Sequence, residues 1–103
     1  MDEYSKCHNG IARLNPKELK EAVHKIEDQM SKGIPVADED RMRNAIYQCD
    51  YNGITKSNME SIRGAVNANL GTLVPKSVID NICKNNSDEA SFSLIADEIR
   101  KVL

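Results

Sequence analysis

Apolar residues recur along most of this chain at the three- and four-residue spacing that is typical of amphipathic α-helices. The pattern divides the chain into segments that we predict to be helices: 16–32, 37–51, 55–70, 75–84 and 87–102. The first segment has an apolar stripe opposite a charged face. The stripe consists of Leu19, Ala22, Val23, Ile26 and Met30. No run of alternating β-branched residues bounded by turns interrupts the pattern, and we therefore predict no β-sheet.

Prolines and glycines mark where these segments begin and end. Three prolines stand at predicted helix starts: Pro16, Pro35 and Pro75. Proline is favoured at the first helical position, where its missing N–H would have no intrahelical partner. Three glycines precede the second, third and fourth starts: Gly33, Gly53 and Gly71. We expect each glycine to adopt the left-handed conformation that ends a helix.

Capping residues support the same division. Three pairs match the capping-box pattern: Asn15 with Glu18, Asn86 with Glu89, and Ser57 with Glu60. In a capping box each side chain accepts a hydrogen bond from the other residue's backbone N–H. The third helix can begin at either Thr55 or Ser57, and the sequence leaves both starts open.

The composition fits one small domain. The chain has 103 residues, of which 40% are hydrophobic and 29% charged, a mixture that supports one packed core. Because the predicted loops are short, successive helices must pack as neighbours. We predict an all-α fold, a compact bundle of about five short helices over 1–103. The N-terminal segment 1–14 either docks through Ile11, Leu14 and Tyr4 or is only loosely attached.

Charge and cysteine content restrict the partners and the compartment. The net charge is −2, which gives no global attraction to nucleic acid or to an anionic membrane. No stretch approaches the roughly 18 apolar residues that a membrane helix needs. The three cysteines are widely spaced, as expected for reduced thiols. With no signal-like N-terminus, we expect a cytoplasmic protein that has no membrane partner.

Catalytic and metal-binding patterns do not emerge from the sequence. Cysteines and histidines lack the short spacing that makes a local zinc clamp, and no glycine-rich phosphate loop occurs. His24 has no evident catalytic partner in the sequence, and Cys7 and His8 have no orienting carboxylate. We therefore predict a protein that is not an enzyme and that has no cofactor and no metal.

Residues 53–62 resemble the turn and recognition helix of helix-turn-helix DNA-binding proteins. The residues that match are Gly53, Ile54, Thr55, Met59 and Ile62. Gln48 and Asn52 stand where that family has apolar residues. The resemblance implies a DNA-binding regulator that uses 53–63. The implied DNA contacts are Lys56, Ser57, Asn58, Ser61 and Arg63.

The second segment carries a row of residues typical of protein interfaces. Tyr47 and Tyr51 lie four residues apart, off the apolar stripe, and Arg43 continues the row. Tyrosine and arginine are enriched among residues that dominate binding energy. We therefore predict a small interaction module, a regulator or adaptor, that binds a protein partner of unknown identity through this face. Self-association through the same row is the alternative, and a rival apolar surface combines Ile34, Leu73 and Val74.

Overall fold

The computed structural model describes residues 10–86 and 88–103, and at residues 88 and 89 it describes the backbone alone. Helices account for most of this part of the chain. They are α1 (Pro16–Ser31), α2 (Glu39–Tyr47), α3 (Met59–Ala68), α4 (Leu70–Leu73), α5 (Lys76–Asn85) and α6 (Asp88–Val102). A π-helical segment, Gln48–Asn52, continues α2. No residue of the described ranges lies in a β-strand. The predicted all-α class is confirmed, and none of these helices has the length and apolar content to span a bilayer.

The N-terminus of α1 is fixed by the predicted capping box. The Asn15 side chain accepts a hydrogen bond from the Glu18 backbone N–H at 2.9 Å, and Glu18 Oε1 accepts from the Asn15 N–H at 3.2 Å. Pro16 occupies the first turn. At the other end Gly33 has a φ of 78°, a conformation that glycine adopts without steric cost. The sequence signals at both ends of α1 are therefore confirmed.

Two other signals were interpreted wrongly. Pro35 does not start a helix, because the chain makes a further turn in which Asp38 has a left-handed φ of 56°, and α2 begins only at Glu39. Gly71 does not end a helix in a left-handed conformation, because it lies within the short helix α4. Both errors arise where the backbone path depends on how the neighbouring helices pack.

The third predicted helix begins later than either Thr55 or Ser57. Asn58 Oδ1 accepts a hydrogen bond from the Thr55 N–H at 2.7 Å, and Asn58 Nδ2 donates to the Gly53 carbonyl at 2.8 Å. This side chain closes a turn over residues 53–58. The α-helix α3 therefore starts at Met59.

The junction between α5 and α6 was predicted to carry the second capping box. The Glu89 side chain, and with it this predicted pairing, lies outside the described residues. Asn86 Nδ2 donates to the Ile82 carbonyl at 2.8 Å. Its amide therefore satisfies a carbonyl in the last turn of α5.

The core forms where α1 packs against α2, α3 and α4, and α5 packs against α6. Its members follow the predicted stripes and include Leu19, Ala22, Val23, Ile26, Met42, Ala45, Cys49, Ile62, Ala65, Val66, Leu70, Ile79, Cys83, Ile95, Ala96 and Ile99. Ile11 and Leu14 also belong to it, with exposed fractions of 0% and 1%. Arg63 Nη2 donates to the Leu14 carbonyl at 3.1 Å and holds this segment against α3. Residues 10–14 are therefore part of the packed structure, while Tyr4 lies outside the described residues.

Candidate interaction surface

The outer face of α2 carries the predicted tyrosine pair. Tyr47 and Tyr51 are 57% and 78% exposed, whereas Met42, Ala45 and Cys49 on the opposite face are buried. The two rings stack with their centroids 5.4 Å apart and their planes 9° from parallel. Two large aromatic rings are thus held in a fixed arrangement while most of their surface faces solvent.

The π-helical segment helps to align these rings. In a regular α-helix, residues four apart are offset by about 40° around the axis. Tyr51 lies within Gln48–Asn52, where the hydrogen bonds span five residues and the turn is wider. The wider turn reduces the offset from Tyr47 and favours parallel stacking. Single π-helical turns occur frequently at functional sites.

Arg43 lies one turn before Tyr47 and is exposed. Its Nη2 donates to Glu39 Oε1 at 2.6 Å, and this hydrogen bond and charge raise the pKa of the Arg43 guanidinium above its ordinary value. Like any arginine in a protein, the side chain carries a permanent positive charge. Because exposed ion pairs within a helix contribute little stability, Arg43 can exchange Glu39 for another acceptor at small cost.

An open groove of about 450 Å³ runs beside the tyrosine pair. It is lined from α1 by Glu27, Met30 and Ser31, and from α2 by Arg43, Ile46 and Tyr47. Met30 and Ile46 are half-buried and pack against the core, while Glu27 and Arg43 provide opposite charges. We call these six residues together with Tyr51 the tyrosine groove. It combines an apolar base, charged edges and exposed aromatic rings.

A second cluster lies where α1 meets the π-helical segment. His24 Nε2 is 3.0 Å from Asp50 Oδ1, and His24 Nδ1 is 3.9 Å from Glu27 Oε2. Taking one ligand atom from each residue, the three atoms lie within 4.8 Å of one another. This group was not predicted from the sequence, because it contains none of the closely spaced cysteines and histidines that form a local zinc clamp. The available signal was His24 with Glu27 at i and i+3 on one helix face.

The five residues implied by the helix-turn-helix resemblance have different environments. Lys56, Ser57 and Ser61 are exposed. Asn58 closes the turn before α3 through its two hydrogen bonds. Arg63 is only 19% exposed at its side chain, where Nη1 lies 3.5 Å from Glu60 and Nη2 bonds the Leu14 carbonyl. Ser57 Oγ lies 2.9 Å from Thr55 Oγ1 and shares a hydrogen bond with it, so three of the five side chains have partners within the fold.

The residues of the rival apolar surface do not share one environment in the fold. Leu73 and Val74 are buried, with exposed fractions of 4% and 2%, whereas Ile34 is 45% exposed. Leu73 and Val74 belong to the core. The three residues therefore do not form one exposed patch.

The buried thiol beside the second cluster should be chemically inert. Burial raises the pKa of Cys49, the Asp50 and Glu27 carboxylates act in the same direction, and Lys20 opposes them. We expect a thiol reagent to modify Cys49 only slowly in the folded protein and rapidly in denaturant. Peptide mapping of the modified protein would measure this. Equal rates in both states would contradict the burial of Cys49 in the core.

The same shift predicts how stability depends on pH. The folded-state pKa of Cys49 lies above its unfolded value. The neutral thiol therefore contributes to the free energy of unfolding, and this contribution is fully present below the ordinary thiol pKa. It is lost as the pH rises through the folded-state pKa.

Cys83 is also buried, whereas Cys7 lies outside the described residues.

Comparison with known proteins identifies no relative of this chain. No protein-family model, curated protein or solved structure matches it. What the protein does is therefore inferred from its own side chains. The tyrosine groove combines an apolar base and opposite charges with two stacked, exposed aromatic rings.

Proposed function

We propose that this protein is a small, non-enzymatic cytoplasmic interaction module, a regulator or adaptor, that binds a protein partner through the tyrosine groove. The stacked and exposed pair of Tyr47 and Tyr51 carries the proposal. Aromatic rings and arginine contribute a large share of the energy at protein interfaces. Here both residue types border a groove that has an apolar base.

The stacked arrangement lowers the cost of binding. A flexible side chain loses conformational entropy when a partner immobilises it. Tyr47 and Tyr51 already restrict each other, and the backbone beneath them is helical. Most of the free energy that is gained when a partner buries the two rings therefore contributes to affinity.

The groove also indicates the chemistry of the partner segment. Apolar side chains that enter between α1 and α2 would contact Met30 and Ile46. Glu27 would attract a basic group, and Arg43 would donate to a carboxylate or carbonyl. A short amphipathic segment that carries both charges fits this arrangement. The opposite charges would fix its direction in the groove.

A crosslinking and affinity experiment tests the proposal. A photoreactive amino acid at position 51 should capture the partner in cells, whereas the same group at position 94 should not. With the captured partner purified, Tyr47→Ala/Tyr51→Ala should weaken binding at least about tenfold, the typical result when interface anchors are removed. Leu94→Ala is the matched control, since Leu94 is 38% exposed on α6 and lies outside the groove.

Stability measurements separate binding from folding. Since both rings are exposed, the double variant should lower the free energy of unfolding by no more than about 1.5 kcal/mol, the upper end of what a stacked aromatic pair contributes. A large loss of stability would place the rings in the core. Unchanged affinity in a stable double variant would refute the tyrosine groove as the binding surface. If the captured species is a second copy of the chain, sedimentation should show that the double variant is monomeric.

The helix-turn-helix alternative has less support. Asn58 and Arg63 are engaged within the fold, and Lys56 is then the one basic side chain of the implied set that is exposed. A chain of net charge −2 gains little from contacts with phosphates. No described contact favours DNA over a protein partner.

A further inference from the structure

We propose that His24, Glu27 and Asp50 form a binding site for a divalent transition-metal ion, with Zn²⁺ as the expected occupant. The three residues come from α1 and from the π-helical segment, which the fold brings together. One imidazole and two carboxylates are ordinary zinc ligands. This site adjoins the proposed partner surface, because Glu27 lines both.

One pair of ligand atoms already has the spacing that an ion requires. Zinc bonds to nitrogen and oxygen are about 2.0–2.2 Å long, so neighbouring ligand atoms on one ion lie roughly 3–3.5 Å apart. His24 Nε2 and Asp50 Oδ1 are 3.0 Å apart. All three ligand atoms lie within 4.8 Å of one another. The Glu27 carboxylate lies 3.9 Å from the other ring nitrogen, Nδ1, and its side chain is 47% exposed. For all three residues to bind one ion, this side chain must rotate to the Nε2 side of the ring.

The charge of the ligand set matches a divalent ion. The two carboxylates balance the two positive charges of the metal, and a neutral imidazole adds a nitrogen ligand. Nitrogen ligation favours zinc, copper or nickel over Ca²⁺ and Mg²⁺, which prefer oxygen ligands. Zn²⁺ is thus expected to bind in preference to Ca²⁺ and Mg²⁺.

The exposure of the ligands determines the type of site. The side chains of His24, Glu27 and Asp50 are 38%, 47% and 50% exposed, so an ion can enter directly from solvent. Three protein ligands leave at least one position of a tetrahedral zinc for water or for a donor from another molecule. Lys20 lies one turn before His24 and adds a positive charge nearby. We therefore expect reversible binding in the micromolar range.

Calorimetric titration with zinc chloride tests the site. The wild-type chain should bind one Zn²⁺ here, and excess Ca²⁺ or Mg²⁺ should not compete. His24→Ala and Asp50→Asn should each weaken binding at least about tenfold, because even residues that only orient metal ligands contribute that much. Asp97→Asn is the matched control, since Asp97 is an exposed carboxylate on α6 that pairs with Arg100. It should bind zinc like the wild type.

A second measurement locates the ion. Co²⁺, which is paramagnetic and has similar ligand preferences, should broaden the NMR signals of residues 24, 27 and 50 first. This result would distinguish binding at residues 24, 27 and 50 from binding by Cys7 and His8. No uptake up to about 1 mM zinc, a limit that corresponds to weak binding, would overturn the proposal. Equal affinity of the wild type and a folded Asp50→Asn variant would also overturn it.

Discussion

Replacing Ile11 with alanine should lower the free energy of unfolding by about 2–5 kcal/mol. Ile11 has an exposed fraction of 0% and belongs to the hydrophobic core. Truncation removes apolar contacts and leaves a cavity that the surrounding helices fill only in part. Urea denaturation followed by circular dichroism would measure the loss. The effect is large for a segment whose sequence shows no strong helical period.

A matched truncation on the surface provides the control. Ile34 is 45% exposed and lies in the loop between α1 and α2, so Ile34→Ala should change stability by no more than about 0.5 kcal/mol. Leu14→Ala should resemble Ile11→Ala, because Leu14 is 1% exposed. If neither core truncation exceeds the Ile34 control, residues 10–14 are not packed against the bundle in solution.

The helices were predictable because local signals and packing agree. In α1 the capping box of Asn15 and Glu18, the proline at position 16 and the apolar stripe all specify the same element. Leu19, Val23 and Ile26 recur with the helical period and are buried. When local helix signals and core packing agree in this way, a helix can be predicted from the sequence alone.

The interruptions were not predictable, because they depend on tertiary contacts. Asn69 was included in one helix from 55 to 70, but α3 ends at Ala68 and α4 begins at Leu70. Its side chain is buried, and Nδ2 donates to the Ala65 carbonyl at 2.9 Å and approaches Met42 Sδ at 3.5 Å. A polar residue can be buried here because the fold supplies these partners.

The candidate sites also contain one part that could be predicted from the sequence and one part that could not. The row of Tyr47 and Tyr51 was predictable from their four-residue spacing, although the π-helical segment that aligns them was not. The contact between His24 and Asp50 joins residues that are far apart in sequence. No local pattern encodes it, because it exists only once α1 packs against the end of α2.

Two glycine-to-alanine variants should have opposite effects on stability. Gly10→Ala should destabilise the fold by about 1–3 kcal/mol, the usual cost of overpacking a core. A Cβ at this position would lie 2.9 Å from Ile95 Cγ2 and 3.2 Å from the Phe92 carbonyl oxygen. The carbonyl belongs to the backbone of α6 and cannot rotate away, so the chain would have to shift.

At Gly64 the neighbouring atom can move. A Cβ there would overlap Arg41 Nη2, which is the end of a flexible side chain that is 51% exposed. The ion pair of Arg41 with Asp38 is long, at 3.9 Å. Moving this side chain costs little. Alanine in the interior of α3 gains about 0.5–1 kcal/mol over glycine. Gly64→Ala should therefore raise the melting temperature and Gly10→Ala should lower it. Shifts of the same sign in the two variants would contradict this account of the packing.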